Sequence, residues 1–406
     1  MISFKEARAL IDQNTKALAA ERLDLVDSLG RVLADPFKSP RDAPFFDNSA
    51  VDGYAVMATD LESASSENIV CLPVSQVAAA GGPPKQLEAG HAARIFTGAP
   101  LPIAADSVVM QEHVEASNGM VCFMEPVKIG THVRKRGEAL KKGDLILREG
   151  QLLDPAAMGI IASLGLSKVE AFKRPQVAVI GTGSELIEPG LELLLGQIYQ
   201  SNVIAVASAV LCAGGRVGVT RTLPDDKKEL KFAIEDAVVN HDVLITCGGV
   251  SVGAHDFVRP VFESVGLEEI FWRVAIKPGK PIYFGRALNG TLVFGLPGNP
   301  VSALVCFFLF VRPALRKLQG LGDDSEDAVM PLAKPLRHDL GRHELARGRI
   351  VSDRGRVCVE PLEHQGSHML VGLVQGDCLI HLPADVECFA QGEQVLVTKL
   401  QWGLMT

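Results

Sequence analysis

Four loops in the middle of this 406-residue chain carry the residue types that hold a phosphate and its counter-ion: GTGSEL (181–186), CGGVSVGAHD (247–256), KPGKP (277–281) and LPGNPVS (296–302). Glycines such as Gly181, Gly183, Gly248 and Gly249 let backbone N–H groups come close to an anion. A helix that starts after such a loop adds its positive dipole end, worth about 0.3–1 kcal/mol per contact. Lys277 and Lys280 bring formal charge. The acids of this region are Glu185, Asp256 and the neighbours Asp225 and Asp226. Two carboxylates brought to roughly 4 Å would repel by about 4 kcal/mol at an effective dielectric of about 20. A divalent cation removes that penalty, and Mg²⁺ shared between one or two carboxylates and substrate phosphates is its ordinary setting. The residues therefore predict chemistry at a phosphate ester or anhydride. Asp225 and Asp226 stay as alternatives, because either is also a good helix cap.

Competing chemistries lack their residues. GTGSEL has no third glycine for a dinucleotide fingerprint, and neither G-x-x-x-x-G-K-[ST] nor G-x-S-x-G occurs, which disfavours a dehydrogenase, a P-loop enzyme and an α/β-hydrolase. His364 and His368 are four apart, but the glycine between them speaks for a turn rather than a chelating helix. The eight cysteines, at 71, 122, 212, 247, 306, 358, 378 and 388, form no C-x-x-C pair and predict reduced thiols in a cytoplasm with no cysteine metal site. A net charge of −8 argues against nucleic acid or anionic membrane as a partner. The longest apolar stretch, around Val301 to Val311, falls short of the roughly 20 residues that span a bilayer.

The elements that must position these loops are legible in outline. At the start, MISFKEARAL lacks the apolar core of a secretory signal, and Ser3 with Glu6 predicts a capping box opening a helix. From 44 to about 136, short β-type runs such as NIVCLPVSQVA and GMVCFMEPV alternate with Gly, Pro and Asn. Within this region Asp52-Gly53 reads as a turn that feeds a strand at Tyr54. A helix follows, with Asp154 as N-cap, Pro155 at its first position and Gly165 at its exit. From about 173, strand and helix alternate as in a largely parallel sheet, which binds ligands at the carboxyl ends of its strands. After the polar GDDSEDA, short strands with Gly turns suit a small barrel or sandwich. The expected fold is a multidomain α/β chain. A discontinuous N-terminal domain (1–43 and 137–172) carries a β-rich lobe (44–136), and an α/β domain (173–320) and a C-terminal β-barrel (321–406) follow.

Taken in order, DNSAVDGYAV (47–56), IFTGAPLP (95–102), GTGSEL, GGVSVGAHDF, AIKPGKPIYFG, FGLPGNPVSALVCF and HQGS resemble the motifs of the molybdopterin molybdenumtransferases of molybdenum cofactor biosynthesis. GGVSVG and LPGNP recur in relatives that share only the α/β domain, whereas DNSAVDGYAV and TGAPLP narrow the resemblance. It implies that adenylylated molybdopterin and molybdate give molybdenum cofactor and AMP with a divalent cation such as Mg²⁺. It also implies an elongated, cytoplasmic homodimer, in which the lobe of one subunit brings Asp52 and Thr97 to the α/β loops of the other. An adenylyltransferase that hands over the substrate is the implied protein partner.

Carried over by motif, Glu185, Asp225 and Asp256 hold the cation, and Lys277 and Lys280, with Pro281 and Ser302, neutralise phosphate and oxyanion charge. Gly181, Gly183, Ser184, Gly248, Gly249, Ser251, Pro297 and Pro300 line the substrate, while Arg347 and Ser367 reach the molybdate side. The chain departs from the family at Ala254, where many members have an acidic or larger polar residue, and at Arg273, where they have lysine. Two other functions compete. One is a molybdopterin adenylyltransferase, which needs neither the lobe nor the barrel. The other is a non-catalytic molybdopterin-binding scaffold, against which the retained acids and lysines speak. Molybdate and tungstate have nearly the same size and charge, so the loops suit either oxyanion.

Overall fold

The computed structural model describes residues 1–250, 257–322, 327–353 and 355–403. They form two compact units: Pro36–Arg148 with Ile160–Leu166, and Met1–Asp35 with Glu149–Gly159 and Ser167–Thr406. The first unit is a six-stranded sheet of β1 (Gly53–Val56), β2 (Val70–Ala78), β3 (Ala92–Ile95), β4 (Ser107–Met110), β5 (Val114–Ser117) and β6 (Met120–Phe123), in the order β4-β1-β3-β2-β6-β5. All four residues of β1 are buried, because Tyr54 and Val56 pack in one apolar cluster while Ala55 packs in another. Gly53 opens this strand because a Cβ there would lie 2.0 Å from the Val109 carbonyl oxygen. A bend over residues 50–52 feeds this strand, as the Asp-Gly step predicts, and close strand approach adds the requirement for glycine at 53.

The cysteine expectation needs correcting in this sheet. Cys71 on β2 stands directly opposite Cys122 on β6, and the two are joined in a disulfide. Strand register makes this pair, and two cysteines 51 residues apart give no local signal of it. The other six cysteines are free thiols.

In the second unit, α1 (Phe4–Asn14) opens on the expected capping box: Ser3 Oγ accepts the Glu6 N–H, and Glu6 Oε2 accepts the Ser3 N–H. The helix α2 (Pro155–Ser163) begins in this unit and ends in the first, and it is capped by Asp154, whose Oδ1 accepts the Ala157 N–H at 2.7 Å. The α/β part then runs β7 (Gln176–Thr182), α3 (Asn202–Cys212), β8 (Arg216–Leu223), α4 (Lys227–Asn240), β9 (Val243–Cys247), α5 (Val258–Ser264), β10 (Glu268–Trp272), β11 (Ile276–Lys277), β12 (Tyr283–Arg286), β13 (Leu292–Leu296), α6 (Pro300–Cys306) and α7 (Arg312–Leu318). Its sheet order is β8-β7-β9-β13-β12-β10, parallel through β13 and antiparallel beyond it.

Helices cover both faces of this sheet. Val177 and Val179 pack with α3 and the 300–318 helical run, while Ala178 and Ile180 pack with α4 and α5. That two-sided burial explains why β7 is continuously apolar rather than alternating. The helical run from 300 to 318 is interrupted by a π-helical turn, Phe307–Val311. Pro313 follows in the first turn of α7, and a proline there has no N–H for the i→i−4 bond that an unbroken helix would require.

The last sheet adds β14 (Asp327–Pro331), β15 (His343–Asp353), β16 (Arg356–Pro361), β17 (Cys378–Leu382) and β18 (Gln394–Lys399). Its order is β11-β15-β17-β18-β14, with β16 beside β15. Strand β11 lies within the α/β segment of sequence, yet it pairs in parallel with β15, Lys277 opposite Glu344. No helix among the described residues is long and apolar enough to cross a membrane.

Candidate active site

A cleft of about 610 Å³ opens at the carboxyl ends of β7, β9 and β13, where a parallel sheet is expected to bind its ligand. Of the residues singled out from the sequence, Gly183, Glu185, Asp225, Gly248, Gly249, Pro281, Pro297, Pro300 and Ser302 line it. Gly181 lies just behind the wall, because a Cβ there would sit 2.2 Å from Gln200 Nε2. At Gly183 a Cβ would lie 2.7 Å from both carboxylate oxygens of Glu185. At Gly248, φ is +97°, and a Cβ would meet the Thr182 carbonyl oxygen at 2.9 Å. Its N–H donates to Leu296 O at 3.0 Å, tying the β9 loop to the end of β13. Ser251 and Asp256 lie outside the described residues.

The two neighbouring aspartates take different jobs. Asp225 lines the cleft, its Oδ1 accepting the Thr182 hydroxyl at 2.9 Å and its Oδ2 accepting the Ser184 N–H at 3.3 Å. Ser184 also accepts the Asp225 N–H at 3.2 Å, so it clamps this acid rather than lining the cleft. Asp226 caps α4, accepting the N–H groups of Lys228 and Glu229, and these backbone bonds hold its carboxyl below the usual carboxylate range. Glu185 is exposed in the same cleft. Among the described residues no three His, Cys, Asp or Glu side chains gather closely enough to hold a metal by themselves. Two hard carboxylates in one cleft do fit a Mg²⁺ that takes its other ligands from water and substrate phosphates. Cys247 also lines the cleft, but burial pushes its thiol up to about 12, which favours the neutral thiol.

Five consecutive wall residues escaped the sequence reading: Ile198, Tyr199, Gln200, Ser201 and Asn202, which lead into α3. Asn202 Nδ2 donates to Gly298 O at 2.7 Å, joining the α3 start to the loop after β13. The available signal was a Ser-Asn pair just ahead of a helical run, which is common N-cap chemistry and carries no mark of ligand contact.

Three family models match the chain in succession: the MoeA N-terminal region (domain I and II) over residues 2–165, a probable molybdopterin binding domain over 178–317, and the MoeA C-terminal region (domain IV) over 329–400. A molybdopterin molybdenumtransferase of Haemophilus influenzae is 37% identical over 407 residues, covering 98% of both chains. The chain belongs to the molybdopterin molybdenumtransferase family. Molybdopterin molybdenumtransferase 2 of Mycobacterium tuberculosis is also 37% identical, over 98% of this chain and 100% of its own. A crystal structure of the molybdopterin biosynthesis MoeA protein from Pyrococcus horikoshii superposes with a TM-score of 0.86 at 34% identity, covering 99% of each chain.

Other residues that the family resemblance singles out are not among those that line the cleft. In the lobe, Asp52 Oδ1 accepts both the Thr97 N–H at 2.7 Å and the Thr97 hydroxyl at 2.8 Å, bringing two separate motifs together. These bonds, backbone first, hold the Asp52 carboxyl below the usual range. Asp47 is instead tied by Lys135 Nζ at 2.9 Å and the Arg136 N–H at 2.8 Å. Lys277 pairs with Glu344 at 3.1 Å and Asp339 at 3.3 Å. Burial pulls its ammonium down, but the two carboxylates outweigh that and leave it above the ordinary lysine value. Lys280 is exposed and makes no ion pair among the described residues.

Arg347 is only 1% exposed. Its Nη2 donates to His364 O at 2.7 Å and Gly366 O at 3.2 Å, so it braces the HQGS loop from behind. Ser367 on that loop accepts the Val301 N–H at 3.1 Å through its carbonyl. In this family member the HQGS loop therefore abuts the first turn of α6, whose Pro300 and Ser302 line the cleft.

Proposed function

We propose that this chain inserts molybdenum from molybdate into adenylylated molybdopterin, releasing AMP and molybdenum cofactor, as a cytoplasmic homodimer. The observation that carries the reading is full-length similarity to molybdopterin molybdenumtransferases together with a strand-end cleft that holds Glu185 and Asp225. The adenylyltransferase alternative is not favoured, because the lobe and C-terminal regions of the transferase family are both matched. Its four working parts are 1–43 with 137–172, 44–136, 173–320 and 321–406.

In this reading Glu185 and Asp225, with Asp256, hold Mg²⁺, which when bound neutralises phosphate charge at the anhydride. Thr182 and Ser184 fix the Asp225 carboxylate so that both oxygens keep a set direction. The start of α3 and the Ser302 side of α6 line the part of the cleft that takes the substrate phosphates. Lys280 supplies free positive charge, and Lys277 does so once its carboxylate partners exchange for an oxyanion. AMP release breaks the P–O–P bridge, and an oxygen of molybdate or water forms the new P–O bond. Asp52, oriented by Thr97, serves the cleft of the partner subunit. An adenylyltransferase is the proposed donor of substrate. The test is to mix protein, adenylylated molybdopterin, molybdate and Mg²⁺ and follow AMP. Molybdate-dependent release is expected, and release that ignores molybdate would reject the assignment.

A further inference from the structure

Trp272 ends β10, and its indole N–H donates to the Val250 carbonyl at 2.9 Å. Val250 is buried and lines the cleft two residues beyond Gly248. The indole ring lies between two guanidinium groups, with Arg259 of α5 at 4.1 Å and Arg273 at 3.9 Å from its centroid. Arg259 is itself oriented by two hydrogen bonds to Glu269, at 2.8 and 3.3 Å. A planar guanidinium stacks on an aromatic face as an ammonium does not, which gives the Arg273 departure from lysine a physical role.

Arg273 also has φ +69°, a left-handed conformation that residues with long side chains avoid unless their surroundings dictate it. Such outliers gather where a backbone must be aimed. Here the turn sends the chain from β10 into the KPGKP segment, with the Arg273 N–H donating to Ile282 O at 2.9 Å and the Val274 N–H to Lys280 O at 3.1 Å. One side chain therefore touches the base of two segments, one carrying Gly248–Val250 and the other Lys277–Pro281.

We infer that Trp272 is a positioning residue, whose indole locks the Gly248–Val250 wall of the cleft to the Arg273 turn so that the two segments are held as one. Its effect on turnover rests on the transferase reading above; its effect on the segments does not.

Hydrogen exchange on the full-length protein tests it with the Trp272→Phe variant, which keeps an aromatic ring between the guanidinium groups but deletes the N–H donor. Exchange at Gly248 and at Val274 is expected to rise together by about tenfold, the loss that follows one broken hydrogen bond, while β7 keeps its protection. The Arg259→Met variant keeps the indole donor and is expected to leave Gly248 at the wild-type rate. In the AMP-release assay Trp272→Phe should lower kcat more than it raises KM for molybdate. Unchanged exchange at Gly248, or a rise spread over the whole sheet, would overturn the inference. Absence of turnover in the wild type would count against the transferase reading and leave exchange to decide this one.

Discussion

Asp225 and Asp226 are chemically identical neighbours, and only the fold separates them. Sequence left them equivalent because both stand at the start of a helix; what decides is which carboxylate the α4 N–H groups take. Asp225→Asn removes a charge from the cleft and is expected to lower molybdate-dependent AMP release on the order of a hundredfold, with little change in Tm. Asp226→Ala should do the reverse, lowering Tm by a few degrees through loss of the cap and leaving turnover near wild type. Turnover assays and melting curves on the two variants check this, and equal losses of turnover would refute the division of labour. Glu185, Gly248, Gly249 and Ser302 were legible as cleft residues because each belongs to a loop with its own turn or helix-start chemistry. Lys277 was legible only as a charge, since its partners Glu344 and Asp339 come from more than 60 residues away.

At the scale of elements, hydrophobic pattern found the strands and helices that position the cleft, because β7, β9 and β13 are buried on both faces and so read as unbroken apolar runs. It missed what register decides: the Cys71–Cys122 disulfide, and the two-residue strand β11 that joins the C-terminal sheet. Register also builds a buried polar line in that sheet. His343 Nε2 meets His381 Nδ1 at 3.0 Å, His381 Nε2 meets Thr398 Oγ1 at 2.7 Å, and Thr398 in turn bonds Asp327. Burial, then the neighbouring His343 and Arg8, pull the His381 imidazole down to about 3. His343 is lowered too, first by burial and then by His338 and Lys5. Between the ordinary histidine value near 6.5 and that lowered value, the unfolded chain binds protons that the native state does not. Stability is therefore complete above about pH 6.5 and falls as the pH drops toward 3. Melting curves from pH 7.5 to 4.5 should show Tm falling with acid, and the His381→Gln variant should show a shallower fall. An identical slope in the variant would remove His381 from the account.

At the scale of the whole molecule, the proposed homodimer decides which cleft Asp52 serves. Asp52 and Thr97 lie in one compact unit, and Glu185 and Asp225 lie in the other. In the proposed homodimer, whose lobes serve their partners' clefts, loss of the lobe acid and loss of the cleft acid are complementary defects. A subunit with Asp52→Asn keeps a sound cleft but offers a dead lobe; a subunit with Asp225→Asn offers a sound lobe but has a dead cleft. Each variant alone should be nearly inactive. In a mixed dimer, one of the two sites then combines a sound cleft with a sound lobe. Co-refolding the two variants in equal amounts should make half of the dimers mixed and restore about a quarter of wild-type activity, as two-fold symmetry requires. If Asp52 served the cleft of its own chain, every mixed dimer would hold one site without Asp52 and one without Asp225, and nothing would be restored. AMP release from the co-refolded mixture, compared with each variant alone, therefore separates the two arrangements.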